Sequence, residues 1–429
     1  MLKTKISFRN KIIYQIYVRN HTPEGSFLAL IPELNRIRSL GVDIVYLLPI
    51  HPIGVKNRKG SLGSPYSIQD YRLINPELGT KEDFLKLVDE VHARGMKIMI
   101  DEVFNHTSRD SRLLHEHPEY FYRNKAGDFA NRVGDWWDVT DFDYTRDKGL
   151  WVELADTLKM YASMGVDGFR MDVASLVPLD FWKFARKEVA KVKKDVLWLS
   201  ESVHGSFCSY IRNQGFECAS ESEIYQVFDM AYDYDVYPYY EDYLHGKRPL
   251  KDYLEAIRRQ DEIYPANYIK MKNLENHDCL RIADYVQGNL DKIRNWTAFL
   301  YFQKGAVMLY GGQEFTATIR QTLFEKELFD RHEDISPLIQ TLSKLKKKRI
   351  FAEGVYTVSI PEVDGVAIQS FENDQEKYVG IFNVGQGSGQ VAIDLPDGNY
   401  PNLLGGKRLK VESGYFELSS GPIAIRIRK

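Results

Sequence analysis

Four separated segments each close a short apolar run with a carboxylate: MKIMIDEVFNH with Asp101, VDGFRMD with Asp172, VLWLSE with Glu201, and IKMKNLENHD with Asp278. Acids are disfavoured inside strands, so their recurrence at the ends of strand-like runs points to strands that deliver carboxylates to one shared rim. Such a set suits glycosidic-bond chemistry. One acid protonates a leaving oxygen, and another attacks or stabilises an oxocarbenium-like centre. Taken singly, each acid reads as a solvated loop residue. With Arg170, His106 and His277 in the same segments, they read as a constellation.

Elements able to position these residues follow from the alternation of apolar runs with helical patterns. KIIYQIYV (11–18) and VDIVYLLPI (42–50) are strand-like, with a helix closed by Gly41 between them. KEDFLKLVDEVHARG (81–95) is helical, with acids early and Arg94-Gly95 late, as dipole and capping preferences require. The alternation continues to AVMLYGG (306–312) and totals eight strand-like runs, each followed by helix-like sequence. It predicts an α/β fold, a (β/α)8 TIM barrel over residues 1–103 and 148–350, with functional residues at the C-terminal ends of its strands. Residues 104–147 interrupt the rhythm with HEHPEYFYRN and VGDWWDVTDFDY and predict a short inserted subdomain after the third strand. Beyond residue 350 the pattern turns to alternation with turns, as in YTVSIPEVDGVAIQSF, and predicts a C-terminal β-sandwich domain over 351–429.

Composition narrows the function classes. The 429 residues carry 57 basic and 60 acidic side chains, which leaves no field for nucleic acid or an anionic membrane. Aromatics reach 13%, enough for a cleft that stacks on sugar rings as well as for the core. Cys208, Cys218 and Cys279 show neither a disulfide framework nor zinc spacing. MLKTKISFRNKIIYQIY lacks the unbroken apolar block of a signal peptide, and no run reaches membrane-span length, so a cytoplasmic location is expected. His115 and His117 read as a surface loop rather than a metal site, Trp136 and Trp137 as either a sugar platform or insert core, and Gly311-Gly312 as no phosphate loop.

Taken in order, DEVFNH, GFRMD, the glutamate of WLSES and NHD resemble the four signature segments of the α-amylase superfamily of glycoside hydrolases. The resemblance extends to YQIY at the first strand, SPYSIQDY after the second and YGGQE after the eighth. It implies that Asp172 is the nucleophile and Glu201 the acid/base of a retaining double displacement, with Asp278 the third acid, binding sugar hydroxyls. It further implies that His106 and His277 bind hydroxyls of the same sugar, that Tyr66 stacks beneath it, and that Asp101 orients Arg170.

Substrate is less defined. The chain reads DVASL after the nucleophile where many α-amylases carry Lys-His, and Val173 there resembles α-1,6-glucosidases, whereas VTDFDY in the insert is closer to the α-amylase pattern. Cleavage of α-1,4 linkages in maltodextrins or starch is expected, with α-1,6-glucosidase or 4-α-glucanotransferase activity as the alternative. A non-catalytic carbohydrate-binding relative would be expected to lose one of the three acids, and all are present. The expected partner is an α-glucan oligosaccharide, with no nucleic acid and no membrane. The chemistry needs no cofactor. The resemblance also implies a calcium ion held by Asn105 and Asp141, with Asp135 or Asp138 completing its shell, against direct hydrogen bonding of Asn105 to the insert.

Overall fold

The computed structural model of the chain describes residues 4–385 and 387–429. Eight short parallel strands close into a barrel: β1 (Ile12–Ile16), β2 (Ile44–Leu47), β3 (Lys97–Glu102), β6 (Gly168–Met171), β7 (Leu197–Ser200), β8 (Met230–Tyr232), β9 (Lys270–Lys272) and β10 (Ala306–Tyr310). Their order around the ring is β1-β10-β9-β8-β7-β6-β3-β2, and closure pairs Ile12 with Val307. In the inserted segment β4 (His106–Ser108) and β5 (Val139–Asp141) pair antiparallel. Most strand positions are apolar on both faces because helices cover the outside and side chains such as Ile13, Tyr46, Met99, Leu199 and Met308 fill the lumen.

Local signals set the surrounding helices. Helix Lys81–Ala93 starts in a capping box between Thr80 and Asp83 and stops before Gly95, whose φ of +67° needs no Cβ. Several strands are shorter than the apolar runs that contain them. KIIYQIYV leaves the barrel at Ile16 and turns into a helical segment at Val18–His21. FDMAYDYD keeps only three residues in the barrel, because Asp233 and Asp235 turn aside to meet Lys272 and Lys270, each at 2.9 Å.

The C-terminal module holds a four-stranded antiparallel sheet of β11 (Val355–Ser359), β12 (Val366–Glu372), β13 (Glu376–Asn383) and β18 (Ile423–Arg428). Two hairpin-like pairs, β14 (Gln390–Ala392) with β17 (Tyr415–Glu417) and β15 (Gly398–Tyr400) with β16 (Leu409–Val411), share its core through Val391, Phe416 and Leu409. The module seats on barrel helix Leu290–Phe302. There the Phe299 and Phe302 rings meet Phe382, and Asn295 Oδ1 accepts the Asn383 amide at 2.8 Å.

Candidate active site

Parallel register brings the barrel-rim acids together. Asp101 lies opposite Arg170 across β3 and β6, and the Glu201 amide donates to Met171 O at 3.0 Å, so Asp172 and Glu201 leave adjacent strands side by side. Arg170 is fully buried and serves all three acids. Its Nη1 donates to Asp101 Oδ1 and Oδ2 at 2.8 and 3.0 Å and to Asp172 Oδ1 at 2.8 Å. Its Nη2 lies 2.6 Å from Glu201 Oε1, an ion contact without hydrogen-bond geometry. Asp101 is sealed beneath the floor, where Tyr46 and Tyr66 hydroxyls also donate to it at 2.6 and 2.9 Å. Among the sequence-predicted residues it therefore stands apart: it holds Arg170 and Tyr66 in place and lines no part of the cavity above.

Asp278 comes from the loop after β9. His277 Nε2 lies 3.1 Å from Asp278 Oδ2 and 2.7 Å from the Tyr66 hydroxyl, while Nδ1 meets Gln15 Nε2 at 3.1 Å. Tyr66 and His277 stack with ring centroids 5.4 Å apart. His106, the first residue of the insert ladder, is met edge-on by Trp136 at 5.4 Å. Asp172, Glu201, Asp278, Tyr66, His106 and His277 all line one cavity of about 310 Å³ at the barrel mouth. A second cavity, of about 440 Å³, lies wholly within the C-terminal module and has no counterpart of this buried acid cluster.

Burial and charge give the three rim acids different proton affinities. Burial pushes Glu201 above the usual carboxylate range, with Arg170 opposing and Asp278 adding to the rise. Asp172 is also pushed up, by burial and then by the Glu201 charge, against the pull of Arg170. Two such neighbours on one guanidinium disfavour carrying both charges at once. The well-formed Arg170 bond falls on Asp172, and Glu201 Oε2 takes the Val173 amide at 2.7 Å, so each carboxyl has one strong donor. Burial alone would raise Asp278, but His277 and Arg170 outweigh it and hold the carboxyl at about 2. His106 is pushed down to about 4 by burial, so it meets a ligand as neutral imidazole.

Val173 joins the two reacting strand ends. It sits at φ 33°, ψ 45°, a left-handed conformation that costs a β-branched residue about 1–3 kcal/mol. Two bonds hold it there: its amide donates to Glu201 Oε2 at 2.7 Å, and the next amide donates to Glu201 O at 3.0 Å. Sequence reading missed Lys59, Ser64, Leu323 and Phe324 in the cavity lining, and Gln15 and Tyr46 behind it. The alternating Gln in IIYQI was the one available signal, a polar residue in an otherwise apolar strand. Trp136 lines the cavity, whereas Trp137 is 58% exposed beneath Lys59. His117 stacks on Tyr120 and pairs with Glu119 at the surface of the insert.

The residues around Asn105 and Asp141 do not fit calcium. Asp141 is buried, and its oxygens are taken by the Arg132 amide at 2.8 Å, the Arg132 guanidinium at 3.3 Å and Asn105 Nδ2 at 3.4 Å. Asp138 pairs with Lys59 at 2.9 Å, and Asp135 is exposed. Asn105 Oδ1 alone remains a buried, unpartnered oxygen, against the six to eight that calcium takes. Among the described residues, no group of three or more His, Cys, Asp or Glu side chains forms a metal site.

A closed (β/α)8 barrel with paired carboxyls on one guanidinium at its C-terminal rim defines a glycosidase-type site. The chain belongs to the α-amylase family. The family description "Alpha amylase, catalytic domain" matches residues 15–139 and 135–352, and "Bacterial Alpha amylase C-terminal domain" matches 357–425. An alpha-amylase from Lactobacillus plantarum is 42% identical, with 99% of this chain and 100% of that one covered at a TM-score of 0.95. The noncanonic maltogenic alpha-amylase AmyB from Thermotoga neapolitana is 31% identical, covering 99% of this chain and 100% of that one at a TM-score of 0.87. The intracellular maltogenic amylase of Bacillus subtilis is 28% identical over 309 residues, 68% of this chain and 48% of that protein. The chain spans less than half the length of the curated relatives it matches. Among the described residues, no helix is long and apolar enough to cross a membrane.

Proposed function

We propose that this chain is a retaining glycoside hydrolase that cleaves α-1,4 linkages of maltodextrins. The observation that carries the reading is the sharing of one buried guanidinium by Asp172 and Glu201 on adjacent strands. In the first step the free Asp172 oxygen attacks the anomeric carbon and forms a glycosyl ester, while Glu201 gives its proton to the departing glycosidic oxygen. In the second, Glu201 takes a proton from water, whose oxygen attacks the same carbon and releases Asp172. Asp278, kept ionised, accepts hydrogen bonds from sugar hydroxyls that strengthen as positive charge develops on the ring. Neutral His106 and the Tyr66 ring complete a seat for one glucosyl unit.

The name of the Lactobacillus plantarum relative supports an amylase reading along the whole chain. Three buried cysteines, none of them in a disulfide, support a cytoplasmic site of action. Maltoheptaose, panose and isomaltose, incubated separately with products resolved by chain length, test the linkage. Cleavage of maltoheptaose and of the α-1,4 bond of panose is expected. Cleavage of isomaltose alone would replace the reading with an α-1,6-glucosidase, and longer products than substrate would replace it with a transferase.

A further inference from the structure

We propose that the glycone end of this site is a closed pocket, so that the enzyme works from the non-reducing end of its substrate and releases one or two glucosyl units per cut. The inference rests on the α-1,4-glucan reading above and specifies its mode. Direction follows from the acid: Glu201 protonates the oxygen that leaves, so the departing chain extends on its side of the cavity. Glu201 follows β7, and around the ring β7 stands diametrically opposite β1. The glycone must therefore extend toward β1 and its neighbours, β2 and β10.

That side is walled. The loop after β2 and the loop after β10 are stitched together across the mouth: the Leu62 amide donates to Phe324 O at 3.0 Å and the Ser61 amide to Glu325 Oε1 at 2.6 Å. Gly60, at φ +64°, passes so close that a Cβ there would lie 2.6 Å from Phe324 Cβ. The short helical segment after β1 braces the seam from behind, with Tyr17 donating to Leu323 O and Asn20 to Thr322 O, both at 3.0 Å. On the other flank the β2 loop is tied to the insert, where Lys59 pairs with Asp138 at 2.9 Å and Asn57 Nδ2 reaches Trp137 O at 3.4 Å. Insert, β2 loop and β10 loop thus make one continuous rampart with a backbone bond at its centre. Lys59, Leu323 and Phe324 line the cavity from it, and Val173 and Glu201 line the same cavity.

Size sets the count. A glucosyl unit of about eleven non-hydrogen atoms fills roughly 150 Å³ at crystal-like packing. The cavity of about 310 Å³ is of the size of about two such units. A chain running through to further glucosyl units would have to break the Leu62–Phe324 seam.

The test uses 4-nitrophenyl maltoheptaoside and the same compound capped at its non-reducing end by a 4,6-ethylidene group, with labelled fragments resolved by length. Removal of one or two glucosyl units at a time is expected from the free compound, and cleavage of the capped one about a hundredfold slower, because the cap enlarges the unit that must fit the pocket. Double substitution of Lys59→Ala and Glu325→Ala, which removes the side-chain ties of the β2 loop to the insert and to the β10 loop and loosens the wall around the remaining Leu62–Phe324 bond, is expected to raise the capped-to-free rate ratio at least about tenfold. Equal rates on both compounds, or early fragments shortened by three or more units, would overturn the closed pocket and leave the α-1,4 reading standing. Failure to cleave either compound would overturn both.

Discussion

Replacing Asp101 by Asn tests the floor of the site rather than its reacting atoms. Asp101 is fully buried and accepts two contacts from Arg170 and one hydroxyl each from Tyr46 and Tyr66. An amide keeps the shape but offers one accepting oxygen to these donors and removes the charge facing the guanidinium. Breaking one partner of a buried ion pair costs about 3–5 kcal/mol. Asp101→Asn should lower the unfolding free energy by about that amount in urea titration. If half of the loss reappears as misplacement of Arg170 and Tyr66 in the transition state, kcat falls about tenfold to a hundredfold. The pH profile adds a sign. Asp172 works ionised, so activity is lost as pH falls through its pKa. Burial, Glu201 and Asp101 all push that pKa up. Removing the Asp101 charge should therefore move the acid limb to lower pH. An unfolding free energy within about 1 kcal/mol of the parent, or an acid limb displaced upward, would refute the positioning role.

Three further outcomes are expected. Asp172→Asn and Glu201→Gln should each reduce turnover by at least about a thousandfold with the melting temperature retained, and more than a tenth of parental activity would remove that residue from its role. Because burial raises Glu201 and the first step needs its proton, kcat should fall as pH rises through that raised pKa. In Glu201→Gln, pre-steady-state release of a good leaving group such as fluoride should lose this basic limb, and its persistence would place the proton elsewhere. Excess EDTA should leave Tm and activity unchanged, whereas Arg132→Met, which strands the buried Asp141 carboxylate, should lower stability by about 1–3 kcal/mol. An EDTA-induced loss restored by calcium would contradict the assignment of the insert's anchor to a guanidinium.

What could be read from sequence and what could not follow from the range of the interactions. Asp172 and Glu201 announce themselves because an acid after an apolar run is a local oddity, and Arg170 stands two residues before Asp172 on the same strand face. Alternating strands and helices likewise reveal the barrel, since each period spans only a few residues. The rampart is different: Leu62 and Phe324 are unremarkable in their own loops and meet only because β2 and β10 flank β1. Arg132 gives no hint of its partner either, nine residues on, because the turn that joins it to Asp141 depends on the insert's own packing. Run lengths mislead where charges pair sideways, as in the early end of β8 at Asp233.

Barrel closure also carries a timetable. Strand β1 finds its second neighbour only at β10, where Ile12 faces Val307 about 295 positions later. At 5–20 residues per second, a ribosome needs roughly 15–60 s to supply that partner. Through that interval one side of β1 lacks its final hydrogen-bonding neighbour, and the apolar lumen beneath it has no lid of sheet. Expression yield should thus respond to elongation speed and growth temperature, and to chaperones that shelter an unfinished edge, more steeply than the stability of the finished protein would indicate.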